Sequence, residues 1–147
     1  EVREDDLKGL VLVGGEDTHN LTGWAKAELG DLTVTQIEDY GSVAEAMLDA
    51  DVLVSSCGRT VNEAAAVGLP TVAVAANARE TRHSHVDGVI YGGLHVAVPD
   101  EWLGQTVRRL LERADLRAEI SRRMRSQVDG KGSRRIARCI DDLLEGL

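Results

Sequence analysis

Three near-continuous apolar runs order the first half of this chain: Leu10–Gly14 (L-V-L-V-G), Val52–Ser55 (V-L-V-S) and Thr71–Ala75 (T-V-A-V-A). Each is short, each is followed by small or polar residues, and none alternates apolar with polar positions. Runs of this kind are strands covered on both faces, as in a parallel sheet. Residues 33–37 (T-V-T-Q-I) read as a further strand, second in chain order, and 95–98 (H-V-A-V) as a fifth.

Helical patterns fill the gaps. A stretch over 21–29 ends at Gly30, which suits the residue just past a helix. Ser42 and Glu45 make a capping box that opens a helix to Asp49. Residues 60–67 predict a helix with Thr60 as a plausible N-cap, ended by Gly68 and Pro70. Further helices are expected over 80–90, over 101–114 with Asp100 as cap, over 116–128, and from a Ser133 cap to 144. Strands alternating with helices predict one domain over 1–147: an α/β, doubly wound parallel sheet with C-terminal helices.

Composition narrows the partners. The formal charge is −8, with Lys8, Lys26 and Lys131 as the only lysines, and phenylalanine is absent. An acidic balance argues against a general binder of nucleic acid or anionic membrane. The arginines of the C-terminal third (Arg108 to Arg138) alternate with carboxylates and no aromatic residues stand among them, so no nucleic-acid partner is expected. No apolar run approaches the ~20 residues that span a bilayer, so no stable membrane insertion is expected. Cys57 and Cys139 follow no metal-ligand spacing, and reduced thiols in the cytoplasm are the default. Glu1 in place of an initiator methionine suggests a piece of a longer protein.

In doubly wound folds ligands sit beyond the carboxyl ends of the strands. Three segments are expected at that edge: Gly14-Gly15, Ser56 to Thr60, and the stretch after Ala75. The second reads S-S-C-G-R-T-V-N-E from Ser55 to Glu63. A strand that turns directly into a helix leaves backbone N–H groups free at the positive end of the helix dipole, a seat for phosphate. Gly58 admits a close ligand, Thr60 offers a hydroxyl, and Glu63 sits where a carboxylate can accept from a ribose diol. The same residues also serve as a plain capping turn, and the pattern alone does not choose. After Ala75, Asn77 to His83 reads N-A-R-E-T-R-H; its arginines suit a diphosphate, while a solvated loop is the alternative. Asp17 and His19 are weaker candidates in a merely polar loop.

Several chemistries are disfavoured. His83 and His85 are two apart and would not share a helix face, so no metal site is expected. Cys57 lacks the arginine that a phosphatase loop carries six residues on, and reads as a packed small residue. No G-x-G-x-x-G, P-loop or G-x-S-x-G pattern occurs, and no cofactor is implied.

Taken in order, S-C-G-R-T-V-N-E, G-L-P, N-A-R-E-T-R-H and V-D-G-K-G-S-R-R-I resemble the C-terminal half of the nucleotide-sugar hydrolases of pseudaminic acid synthesis and the related spore-coat polysaccharide proteins. That group is similar in turn to the lipid II-forming GlcNAc transferases of GT-B fold. The resemblance covers the chain from Leu10 onward and implies the Rossmann-like half of a GT-B fold that holds the UDP of a UDP-sugar. It implies that Gly58, Arg59 and Thr60 hold phosphate, that Glu63 binds the ribose hydroxyls, and that Asn77, Arg79, Glu80 and His83 line the sugar-diphosphate side. The family's catalytic base is a histidine of an N-terminal domain, so the expectation is a binding half completed by such a domain or by a partner subunit, in surface-polysaccharide or sialic-acid-like sugar synthesis. The alternatives are the nucleotide-binding subunit of a two-chain glycosyltransferase, or a non-catalytic α/β interaction domain.

Overall fold

Five strands, β1 (Leu10–Gly14), β2 (Thr33–Gln36), β3 (Val52–Ser55), β4 (Thr71–Ala75) and β5 (Ile90–Leu94), pair in parallel in the order β2-β1-β3-β4-β5 in the computed structural model. The structure describes residues 9–14, 21–37, 40–83, 86–99 and 101–146. Gly15, Asp17, His19, Ser84, His85 and Asp100 lie outside the described residues. The expected doubly wound parallel sheet is present, and β3 and β4 are buried at every position. Continuous burial is what their unbroken apolar pattern encodes.

Helices α1 (Leu21–Glu28), α2 (Val43–Asp49) and α3 (Thr60–Val67) connect the first four strands, and α4 (Trp102–Glu112), α5 (Ala114–Gln127) and α6 (Gly132–Glu145) follow the fifth. α1 packs with α4, while α2 and α5 both pack with α3. The core is aliphatic, built from residues such as Val11, Leu29, Leu53, Val72, Leu103, Leu110 and Met124. No helix among the described residues is long and apolar enough to cross a membrane.

Local chemistry fixes the helix ends. Ser42 Oγ accepts from Glu45 N at 3.1 Å, as the capping box requires. Gly68 closes α3 at φ 77°, and Ala64 O accepts from both Gly68 N (2.8 Å) and Leu69 N (3.0 Å). This is the left-handed closure that glycine permits. The Arg125 guanidinium then donates twice to Val67 O, at 3.1 and 2.9 Å, tying α5 to the carbonyl end of α3. Arg117, 5% exposed, donates to Leu110 O and Leu111 O at 2.7 Å each, satisfying the last carbonyls of α4.

The structure corrects four sequence expectations. Of the helix expected over 80–90, the described residues hold a 3-10 turn at Glu80–Arg82 instead. The fifth strand is Ile90–Leu94, and 95–98 holds a 3-10 turn over His95–Ala97. β4 ends at Ala75, which pairs with Leu94, so 95–98 has no strand left to pair with. Thr60 is the first residue of α3 rather than its N-cap, a position taken by Arg59 without a side-chain bond. Ser133 likewise sits inside α6, whose N-cap position is Lys131 without a side-chain cap bond; just before it, Asp129 Oδ1 accepts from Lys131 N at 2.9 Å and its Oδ2 from Arg135 Nη1 at 2.7 Å.

Candidate functional site

Strand order reverses at β1, because β2 lies on one side of it and β3 on the other. The carboxyl ends of β1 and β3 meet there, with Gly14 registered against Ser55. Such a switch point is where open α/β sheets leave a crevice for ligand. Gly14 itself has a packing reason to be glycine, since a Cβ there would collide with the Ile37 side chain. Ser55 is fully buried, and its hydroxyl has no hydrogen-bond partner among the described residues. An unsatisfied buried hydroxyl costs stability and is rare enough to mark the position.

Beyond Ser55 the chain turns through Ser56, Cys57 and Gly58 into α3. The first helical bonds run from Val61 N to Gly58 O (3.3 Å), and from Asn62 N (2.9 Å) and Glu63 N (3.3 Å) to Arg59 O. Cys57 N donates to Glu80 Oε2 at 3.3 Å. The N–H groups of Gly58, Arg59 and Thr60 take no partner among the described residues. Three consecutive uncommitted donors thus stand at the N-terminus of an eight-residue helix, where the helix dipole is positive. A Cβ at Gly58 would meet only Ser56 Oγ at 3.7 Å, and its φ is not left-handed. The fold therefore does not itself demand glycine at position 58.

The loop after β4 is tied to this turn by two side chains. Glu80 Oε2 accepts from Ala76 N at 2.8 Å as well as from Cys57 N, spanning the two loops with one carboxylate oxygen. His83 Nδ1 lies 2.8 Å from Cys57 O. A carbonyl only accepts, so Nδ1 carries the proton, and in the neutral ring Nε2 is left as an acceptor. Asn77 Oδ1 accepts from Arg79 N (3.0 Å) and Glu80 N (3.1 Å), which folds the turn that delivers Glu80. Arg59, Glu63 and Arg79 are exposed, and none enters a side-chain hydrogen bond or ion pair among the described residues.

Two predicted groups, Ser56 to Glu63 and Asn77 to His83, are therefore brought together. The structure also shows contacts of Cys57 and Tyr91 that the sequence did not signal. Cys57 is held by both its backbone groups, while its thiol is buried. Burial, and secondarily the Glu80 carboxylate, pushes that thiol up to about 11. It is a packed residue, as expected from the sequence. Tyr91 Oη accepts from Val86 N at 3.1 Å and fixes the chain beyond His83; burial raises its phenol above the ordinary range. No sequence motif signals either role. Among the described residues no three His, Cys, Asp or Glu side chains gather as a metal site would require.

The geometry defines a Rossmann-like α/β domain with a polar, donor-rich edge at its switch point. No protein-family model and no curated protein matches the chain.

Proposed function

We propose that this domain binds the nucleoside diphosphate of a UDP-sugar, as the nucleotide half of a GT-B-like hydrolase or glycosyltransferase in surface-polysaccharide or sialic-acid-like sugar synthesis. The observation that carries the reading is the run of three uncommitted N–H groups, Gly58 to Thr60, at the switch point. Backbone donors at a helix N-terminus hold phosphate without any reorganisation. Arg59 and Arg79 are exposed cations on the two stapled loops, in a chain of net charge −8. Gly58, which packing leaves free to be another residue, keeps the backbone open to an approaching anion. Glu63, one turn into α3, is the acceptor for the ribose diol.

In this reading Glu80 and His83 Nδ1 position the phosphate turn, and Glu63, Arg59 and Arg79 meet the ligand. His83 Nε2 is available to accept from a sugar hydroxyl. The domain stabilises the departing diphosphate as the anomeric C–O bond breaks, and an N-terminal domain or partner subunit supplies the catalytic base. Calorimetric titration with UDP, and with CDP, GDP and ADP as controls, tests this. Binding of UDP in the micromolar to millimolar range, lost or much weakened in Arg59→Ala, is expected. Equal affinity for all four would refute the base preference, and no binding of any would refute the reading.

A further inference from the structure

The turn after β4 sorts its side chains onto three edges. Its backbone hydrogen bonds span three residues: Glu80 N to Asn77 O, Arg82 N to Arg79 O and His83 N to Glu80 O, each at 3.1 Å. In such a 3-10 turn residues i and i+3 eclipse one another. One edge carries Asn77, Glu80 and His83, and the last two reach Cys57: Glu80 Oε2 accepts from its N–H, and His83 Nδ1 donates to its carbonyl. The next edge carries Ala78 and Thr81, with the Thr81 hydroxyl spent on Ala78 O at 2.8 Å. The third carries Arg79 and Arg82.

Both arginines are exposed, and neither enters a side-chain hydrogen bond or ion pair among the described residues. A 3-10 turn rises about 2 Å per residue, so the two guanidinium stems leave one edge about 6 Å apart. The turn's own carboxylate does not balance them, because Glu80 Oε2 is taken by Ala76 N and Cys57 N. An acceptor that could hold neutral hydroxyls is likewise committed, since Asn77 Oδ1 accepts from Arg79 N and Glu80 N. Arg59 and the N–H groups of Gly58 to Thr60 already suit the charge of a diphosphate diester. Arg82 is therefore a surplus cation beside the site, set in line with Arg79.

We propose that Arg79 and Arg82 form a fork for a carboxylate on the sugar of the bound nucleotide, so that the substrate class is a UDP-hexuronate. The inference rests on the reading of this edge as a UDP-sugar site. A planar carboxylate accepts paired N–H donors from guanidinium groups, and two guanidiniums on one edge can share its two oxygens. The adjoining edge leaves His83 Nε2 for a hydroxyl of the same sugar. A neutral hexose would leave two like charges unbalanced side by side, whereas a uronate neutralises one and bonds both.

Calorimetric titration of the 147-residue chain with UDP, UDP-glucose, UDP-galactose, UDP-glucuronate and UDP-galacturonate tests this. One or both uronates are expected to bind about fivefold tighter than the neutral sugar of the same configuration, an advantage that falls as salt rises. In Arg82→Gln the uronate is expected to bind no tighter than its neutral counterpart. Arg82→Lys should keep only part of the advantage, because it restores the charge without the planar donors. Arg82 is exposed, so circular dichroism of both variants is expected to match the wild type. Binding of UDP with no advantage for either uronate would overturn the carboxylate fork and leave the UDP-sugar reading standing. A loss in Arg82→Gln that is equal for UDP and for the uronate would also overturn it, giving Arg82 to the diphosphate. No binding of UDP or of any UDP-sugar would overturn the reading itself, and the fork with it.

Discussion

Removing the Glu80 carboxylate tests the coupling between the two loops of the site. Its Oε2 accepts from Ala76 N at 2.8 Å and from Cys57 N at 3.3 Å. A hydrogen bond to a charged group contributes about 1.5–3 kcal/mol, the longer bond at the low end or below. Glu80 is half-buried, so water re-solvates part of what is lost, and Glu80→Ala is expected to cost about 2 kcal/mol. Glu80→Gln keeps an acceptor without the charge and should cost about half as much. For a domain of this size 2 kcal/mol lowers Tm by roughly 7 °C. Urea and thermal unfolding read the stability, and the pH dependence of Cys57 alkylation reads the electrostatics. The Cys57 thiol is held up to about 11 by burial first and Glu80 second. In Glu80→Ala it should therefore fall part of the way toward its ordinary value of 9.0 without reaching it. A variant within about 0.5 kcal/mol of wild type, with an unmoved Cys57 titration, would refute the stapling role.

Other consequences follow from the same geometry. Because the folded Cys57 titrates near 11 and the unfolded thiol near 9.0, the stability gained from keeping it neutral is complete below about pH 9 and is lost as pH rises through 11; alkaline unfolding curves should shift in Cys57→Ala. At neutral pH the exposed Cys139 should react with a disulfide reagent at once and Cys57 only on unfolding, a contrast that stopped-flow thiol counting reads. Gly68→Ala places a Cβ at φ 77°, against the Arg125 guanidinium and 2.5 Å from Ser121 Oγ, and should destabilise by about 1–3 kcal/mol in urea titration. Arg117→Met removes both donors from the carbonyls of Leu110 and Leu111 and should cost about 2–4 kcal/mol, seen as a lower urea midpoint. The Arg135 hydrogen bond, then that of Lys131 N–H, holds the Asp129 carboxyl down to about 2; its contribution is present above about pH 4 and lost as pH falls toward 2, visible as fraying of the first turn of α6 by NMR.

The central strands were legible because they are buried on both faces and written as unbroken apolar runs. The fifth strand was not, because Ile90–Leu94 (I-Y-G-G-L) carries two glycines, which propensity counts against a strand. The structure supplies the reason for one. A Cβ at Gly92 would come within 2.7 Å of Trp102 Cζ3 and 2.8 Å of its Cη2, so the glycine admits an indole from α4. Gly93 has φ 85°, which also favours glycine. A helix was expected over 80–90, but the polar residues after Ala75 fold a tight turn around Asn77 Oδ1 instead. Within the site, the exposed groups (Arg59, Glu63, Arg79) were readable as residue types at the ligand edge. The bonds from Glu80 and His83 to Cys57 cross 23 and 26 positions of sequence, and no local pattern encodes them.

The most direct measurement is a titration of the isotope-labelled chain with UDP, followed through its backbone amide resonances. The account predicts saturable shifts largest at Gly58, Arg59 and Thr60, with smaller ones through Asn77 to His83, and loss of all of them in Arg59→Ala. Shifts confined to another part of the fold, or none at millimolar UDP, would contradict it.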